Sequence, residues 1–175
     1  MAKPLILVTN DDGIHAKGLR ELVEVMQHFG DVIVISSETP MSGKACSITV
    51  EHPLRAVPVE KIQGVPTFKS NGTPVDSVKL SFNNLFDRKP DFVVSGINHG
   101  ANSSISVIYS GTMGAAIEGS LHGIPSMGFS LDDFQEDADF SKAKIIAARV
   151  FQSVMNNGLP QYTCLNVNIP KGKPK

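Results

Sequence analysis

The segment Leu5-Ile6-Leu7-Val8 carries no polar side chain on either alternate position. A strand with no wet face is buried on both sides, which is the environment of a parallel sheet covered by helices. The same kind of run recurs. Val32-Ile33-Val34-Ile35 reads as a second buried strand, Asp91 to Ser95 as a third, Ile124 to Phe129 as a fourth and Leu165 to Ile169 as a last one. Between the first two, Leu19, Leu22, Val23 and Met26 recur at helical spacing and Gly30 offers a stop. A long helix is predicted over Phe140 to Met155, with Ile146, Val150 and Val154 four apart. Buried strands alternating with amphipathic helices predict an α/β fold: a Rossmann-like three-layer α/β/α sandwich on a mostly parallel sheet.

Thr73-Pro74-Val75-Asp76 opens a further helix. Thr73 can cap it, Pro74 suits its first turn, and Asp76 faces the positive end of the macrodipole. The stretch from Ser47 to Phe68 breaks the pattern. Its apolar residues lie among Pro and Gly, and it reads as a small antiparallel excursion. No repeat or low-complexity tract divides the chain, so residues 1–175 are expected to form one domain. The polar, breaker-rich end Pro170 to Lys175 follows directly on the last strand.

Charge excludes some partners. Sixteen Lys and Arg against 17 Asp and Glu give a formal net charge of -1, so neither a nucleic acid polymer nor an anionic membrane is predicted as a partner. The apolar run Pro4 to Val8 is too short for a signal-peptide core or a membrane span. Cys46 and Cys164 form no CxxC, which fits a reducing cytoplasm and leaves any metal to oxygen or imidazole ligands.

In such a sheet ligands bind at the carboxyl ends of the strands, near the switch in strand order. Four polar, Gly-bearing segments are candidates. In Thr9-Asn10-Asp11-Asp12-Gly13, two adjacent carboxylates after a buried strand repel each other, and a hard cation such as magnesium or manganese relieves them. The same residues also make an ordinary turn. Ser42-Gly43 is a loop whose hydroxyl could complete a magnesium shell. Asn98, in Ser95-Gly96-Ile97-Asn98-His99-Gly100, is a neutral oxygen ligand or an Asn in a tight turn; His99 is a weaker candidate. Ser110-Gly111-Thr112 precedes a small-residue helix, where free amides make a phosphate cradle or Ser simply caps. Asn102, Ser103 and Ser104 could fold over the same place.

Taken in order, these segments resemble the SurE survival-protein nucleotidases. The matching stretches are Asn10 to Ile14 with Gly18, Ser42-Gly43 with Ser47-Ile48-Thr49, Asn71 to Asp76, Val94 to Asn98 with Gly100 and Asn102, and Tyr109 to Thr112 with Ala115-Ala116 and Glu118-Gly119. They cover nearly the whole chain. Ser77 stands where the family pattern leads one to expect Cys, and family members continue well past residue 175 in an extension that contributes to subunit association.

The resemblance implies a metal-dependent phosphatase acting on nucleoside 5'- and 3'-monophosphates and, in some members, polyphosphate. It implies one divalent ion, Mg2+ or Mn2+, held by Asp11, Asp12, Ser42 and Asn98. It places Asn102, Ser110, Gly111 and Thr112 at the phosphate; Asn10 and Gly43 join them as substrate-binding candidates. Asp11 or Asp12 would accept the proton of the attacking water. A homodimer or homotetramer is implied as well. Three rivals remain. An aspartyl-phosphate mechanism normally has acidic residues one apart, and a serine nucleophile lacks Gly-x-Ser-x-Gly. The third is a nucleotide-binding module of the same fold without turnover.

Overall fold

The structure, a computed structural model, describes residues 3–82 and 87–172. The last three residues of the polar end, 173–175, therefore lie outside the described residues. The chain runs through strand β1 (Leu5–Thr9), helix α1 (Lys17–Met26), β2 (Asp31–Ser37), β3 (Ala56–Pro58), β4 (Thr67–Ser70) and α2 (Pro74–Phe82). It continues through β5 (Phe92–His99), α3 (Ser106–Tyr109), α4 (Gly111–Leu121), β6 (Ser126–Asp132), α5 (Ser141–Asn157) and β7 (Cys164–Pro170).

The strands make one sheet in the order β3-β4-β2-β1-β5-β6-β7. Every pairing is parallel except β3 with β4. Every residue of β1 is buried, as its unbroken apolar run demands. Side chains alternate between two cores. Ile6 and Val8 join Leu19, Leu22, Val23 and Met26 of α1 and Ala147 and Phe151 of α5. Leu7 joins Ile35, Val93, Val78 of α2 and Ala115 of α4 on the other face. Each such side chain removed from water contributes about 1.5–3 kcal/mol before entropy is counted. The three-layer α/β/α architecture read from the sequence is the observed one.

Helix α2 starts as its sequence predicts. The Thr73 hydroxyl accepts from the Asp76 amide at 3.1 Å, and the Asp76 carboxylate accepts from the Thr73 amide at 2.9 Å. This reciprocal pair satisfies two amides left open at a helix start. Asp76 also accepts from the Thr49 amide at 3.0 Å, tying the excursion to the helix.

The antiparallel excursion is present but narrower than the stretch from Ser47 to Phe68. Ala56–Pro58 pairs antiparallel with β4 and Ile62 bridges Val65 antiparallel, while Thr67 and Phe68 open β4, which is also a parallel neighbour of β2. Thr67-Phe68-Lys69-Ser70 has one large apolar side chain, so it gave no apolar run to read. Ile48, Val50 and Val57 are exposed instead of packed. A correction concerns Tyr109 to Thr112, which follows no strand; it joins α3 to α4.

Sheet order fixes where a ligand can enter. From β1 the chain moves through α1 to β2 on one side, whereas β5 lies on the other and leads outward to β6 and β7. The loops leaving β1 and β5 therefore diverge from adjacent carboxyl ends, and the gap between them is a binding crevice.

Candidate active site

Asp11 and Asp12 follow β1 at this switch point, and Asn98 lies in the last turn of β5, past a register shift against β6 between Ser95 and Asn98. Asp11 is buried, with 3% of its surface exposed. Its Oδ1 accepts from the Thr112 hydroxyl at 2.5 Å across the gap to α4. This contact requires Gly111: a Cβ there would lie 2.8 Å from the Asp11 Cβ and 3.0 Å from its Oδ2. Asp12 Oδ2 accepts from the His99 amide at 3.3 Å, joining the β1 loop to the β5 loop.

Burial raises the Asp11 carboxyl above its ordinary range, although Thr112 and the amides of Gly111 and Thr112 oppose the shift. Burial, and then repulsion from Asp11, pushes Asp12 up to about 6. No Lys or Arg forms an ion pair with either aspartate among the described residues. Two neighbouring desolvated carboxylates without a cationic partner are the arrangement that a hard cation relieves.

A cleft of about 430 Å³ opens here. Asp11, Ser42, Gly43, Asn98, Asn102 and Ser110 all line it, with His99, Tyr109 and Phe134. Six of the predicted residues thus share one cavity. Asn98 Nδ2 donates to the Gly100 carbonyl at 2.7 Å, which leaves its Oδ1 as the free acceptor. Asp11, Ser42 and Asn98 bring anionic and neutral oxygens to this cleft, a set suited to Mg2+ or Mn2+. Among the described residues no three His, Cys, Asp or Glu are grouped so as to hold a metal ion by themselves, so any site here draws on neutral oxygens as well.

The remaining predicted residues sit differently. Asp12, Gly111 and Thr112 are not in the cleft wall. Asp12 reaches it through His99, whereas Gly111 and Thr112 back Asp11 from behind. The amides read as a phosphate cradle thus approach the Asp11 carboxylate. Ser110 caps α4, its Oγ accepting from the Met113 amide at 3.1 Å, and keeps its hydroxyl proton for another acceptor.

Asn10 does not line the cleft. Its Nδ2 donates to the Gly13 carbonyl at 3.0 Å and its Oδ1 accepts from the Ser36 hydroxyl at 2.6 Å, so the side chain braces the aspartate turn. Asn102 is held by Ser130, whose Oγ accepts from its Nδ2 at 2.8 Å, and by Asn168, which accepts from its amide at 2.7 Å. Sequence reasoning missed the Thr112–Asp11 bond, 101 residues apart, for which no local signal exists. It also missed Phe134, whose signal was an aromatic ring among acidic residues just past a strand's carboxyl end.

The sequence pattern of the family described as Survival protein SurE matches residues 6–175. The chain belongs to the SurE family. A protein named 5'-nucleotidase SurE from Bacteroides fragilis is 49% identical over 168 residues, covering 96% of this chain and 66% of that protein. Its namesake from Christiangramia forsetii is 50% identical over 173 residues, covering 98% and 66%. The crystal structure of the SurE protein from Aquifex aeolicus superposes with a TM-score of 0.85 at 37% identity, covering 95% of this chain and 66% of that one. The chain thus spans just under two thirds of the length of these SurE relatives.

Proposed function

We propose that the chain is a divalent-metal-dependent phosphomonoesterase that hydrolyses nucleoside 5'-monophosphates. Its reach extends to 3'-monophosphates and short polyphosphate. The observation that carries this reading is the adjacent pair of Asp11, buried, and Asp12, half-buried, with no Lys or Arg paired to either among the described residues, beside a cleft that Asp11 lines with Ser42, Asn98 and Ser110 at the start of α4. The names of the relatives supply the substrate class.

Asp11, Asp12, Ser42 and Asn98 would hold one Mg2+ or Mn2+ ion. Such an ion supplies Lewis acidity, polarising a phosphoryl oxygen and making water a stronger acid at neutral pH. Asp11 or Asp12 would accept the proton of the attacking water. The Thr112 hydroxyl and the α4 amides donate to Asp11 and offset part of the burial that raises its carboxyl. The Ser110 hydroxyl and the Asn102 amide line the cleft as neutral groups for phosphate oxygens. Gly43, next to Ser42, takes φ +78°, a left-handed conformation that favours glycine.

We read residues 1–175 as one SurE-like unit that acts in the cytoplasm as a homodimer or homotetramer. Cys46 and Cys164 are free, and no helix among the described residues is long and apolar enough to cross a membrane.

The test is phosphate release from a panel of nucleoside monophosphates and short polyphosphate, with Mn2+ or Mg2+ and with chelator. Metal-stimulated release on the monophosphates is the expected result. Tight nucleotide binding without release would make the chain a binding module instead.

A further inference from the structure

Two aromatic rings line the cleft and stay wet: Phe134 is 81% exposed and Tyr109 is 59% exposed. An isolated exposed ring is unremarkable on a surface, but Phe134 is held in place. The loop after β6 is pinned on both sides of it. Asp133 Oδ1 accepts from the Gln135 amide at 3.1 Å, and Asp133 Oδ2 pairs with Lys171 Nζ at 2.9 Å. Lys171 Nζ also donates to Gln135 Oε1 at 2.8 Å.

The ring then lies on Gly100. A Cβ there would come within 2.2 Å of Phe134 Cε1, and the residue has φ +92°, so glycine is required on two counts. One side of the ring is thus seated on the β5 loop, two residues from Asn98, while most of its surface faces water. A planar apolar surface fixed at the rim of a polar, oxygen-lined cleft matches a ligand with a charged end and a flat aromatic end.

We propose that Phe134 is the stacking platform for the nucleobase, with Tyr109 on the same cleft as the second ring. This rests on the phosphomonoesterase reading, in which the phosphate lies at Ser110 and Asn102, beside the ion that Asp11 and Asn98 would hold. Stacking is tolerant of base identity, because every base has a π face. The platform therefore distinguishes nucleotides from sugar phosphates more than one base from another. Phe134 touches the substrate far from the reacting phosphorus, so it governs specificity.

The experiment compares AMP with ribose 5-phosphate, which has the same phosphate and sugar and no base. For the wild-type chain with Mn2+, kcat/KM is expected to favour AMP. F134A should lower that preference by about tenfold by weakening AMP alone, and F134W should restore it. A second readout is independent of turnover. The chain has no Trp, so the indole of F134W is its only one, and AMP should quench its fluorescence while ribose 5-phosphate should not.

Phosphate release with an unchanged AMP preference in F134A, or equal quenching by the two ligands, would overturn the platform and leave the enzyme reading standing. A change of oligomeric mass in F134A without a change in preference would also overturn it. Quenching by AMP alone in a chain that releases no phosphate would support the platform and sink the enzyme reading.

Discussion

Two buried aspartates stand at the starts of two helices, and only one of them has a second carboxylate beside it. Asp76 belongs to the first turn of α2, and its carboxylate is met by the amides of Thr73 and Thr49. Asp11 comes from the β1 loop and meets α4 through the Thr112 hydroxyl and the amides of Gly111 and Thr112, but a second carboxylate, Asp12, stands beside it. The α2 corner is complete within the fold. The α4 corner leaves negative charge unbalanced, which lowers the stability of the metal-free chain and prepares it for a cation. Strain of this kind at a site, offset elsewhere in the fold, is what function costs a stable protein.

The largest separation of the two corners should appear in turnover. D11N or D12N should reduce AMP hydrolysis on the order of 10²- to 10³-fold with Mn2+, measured as initial phosphate release. Near-wild-type rates in both variants would dissolve the contrast. Next, G111A should destabilise the chain by about 1–3 kcal/mol in urea, because its Cβ would overlap Asp11. It should also shrink the rise in Tm that Mn2+ produces. D76N should cost about 1–2 kcal/mol, the scale of a lost helix cap, with the Mn2+-induced rise in Tm retained. A D76N chain that lost the Mn2+ response would show that the corners are not separate.

The last effect is one of pH. Burial and the neighbouring Asp11 push Asp12 up to about 6 in the folded chain, above the ordinary aspartate value of 3.8. The folded chain therefore binds the proton more tightly than the unfolded chain between those values, and stability falls as pH rises through them. Metal-free wild type should lose Tm from about pH 4 to pH 6 more steeply than D12N. Equal slopes would place the Asp12 shift elsewhere.

The comparison also shows why the sequence was readable in some places only. β1, β2 and α1 announce themselves because burial on both faces, or a 3.6-residue stripe, writes a continuous pattern. The Thr73–Asp76 cap is local, three residues apart, and is legible for the same reason. β4 is not, since an edge-side strand with Lys69 and two hydroxyl residues needs only its backbone to pair with β2. At the site, Asp11, Ser42 and Asn98 could be picked out by residue type, and the fold brings them to one cleft. Which group leans on which is a matter of tertiary approach. The bracing of Asn10 by Ser36 and the seating of Phe134 on Gly100 join distant segments, and no spacing rule predicts them.

The most direct test of the account is Mn2+ binding to the chain itself, followed by calorimetry or by loss of the free-ion electron paramagnetic resonance signal. The account predicts one ion per wild-type chain, binding lost in D11N and D12N, and binding preserved in D76N. Undiminished Mn2+ affinity in D11N and D12N would contradict it.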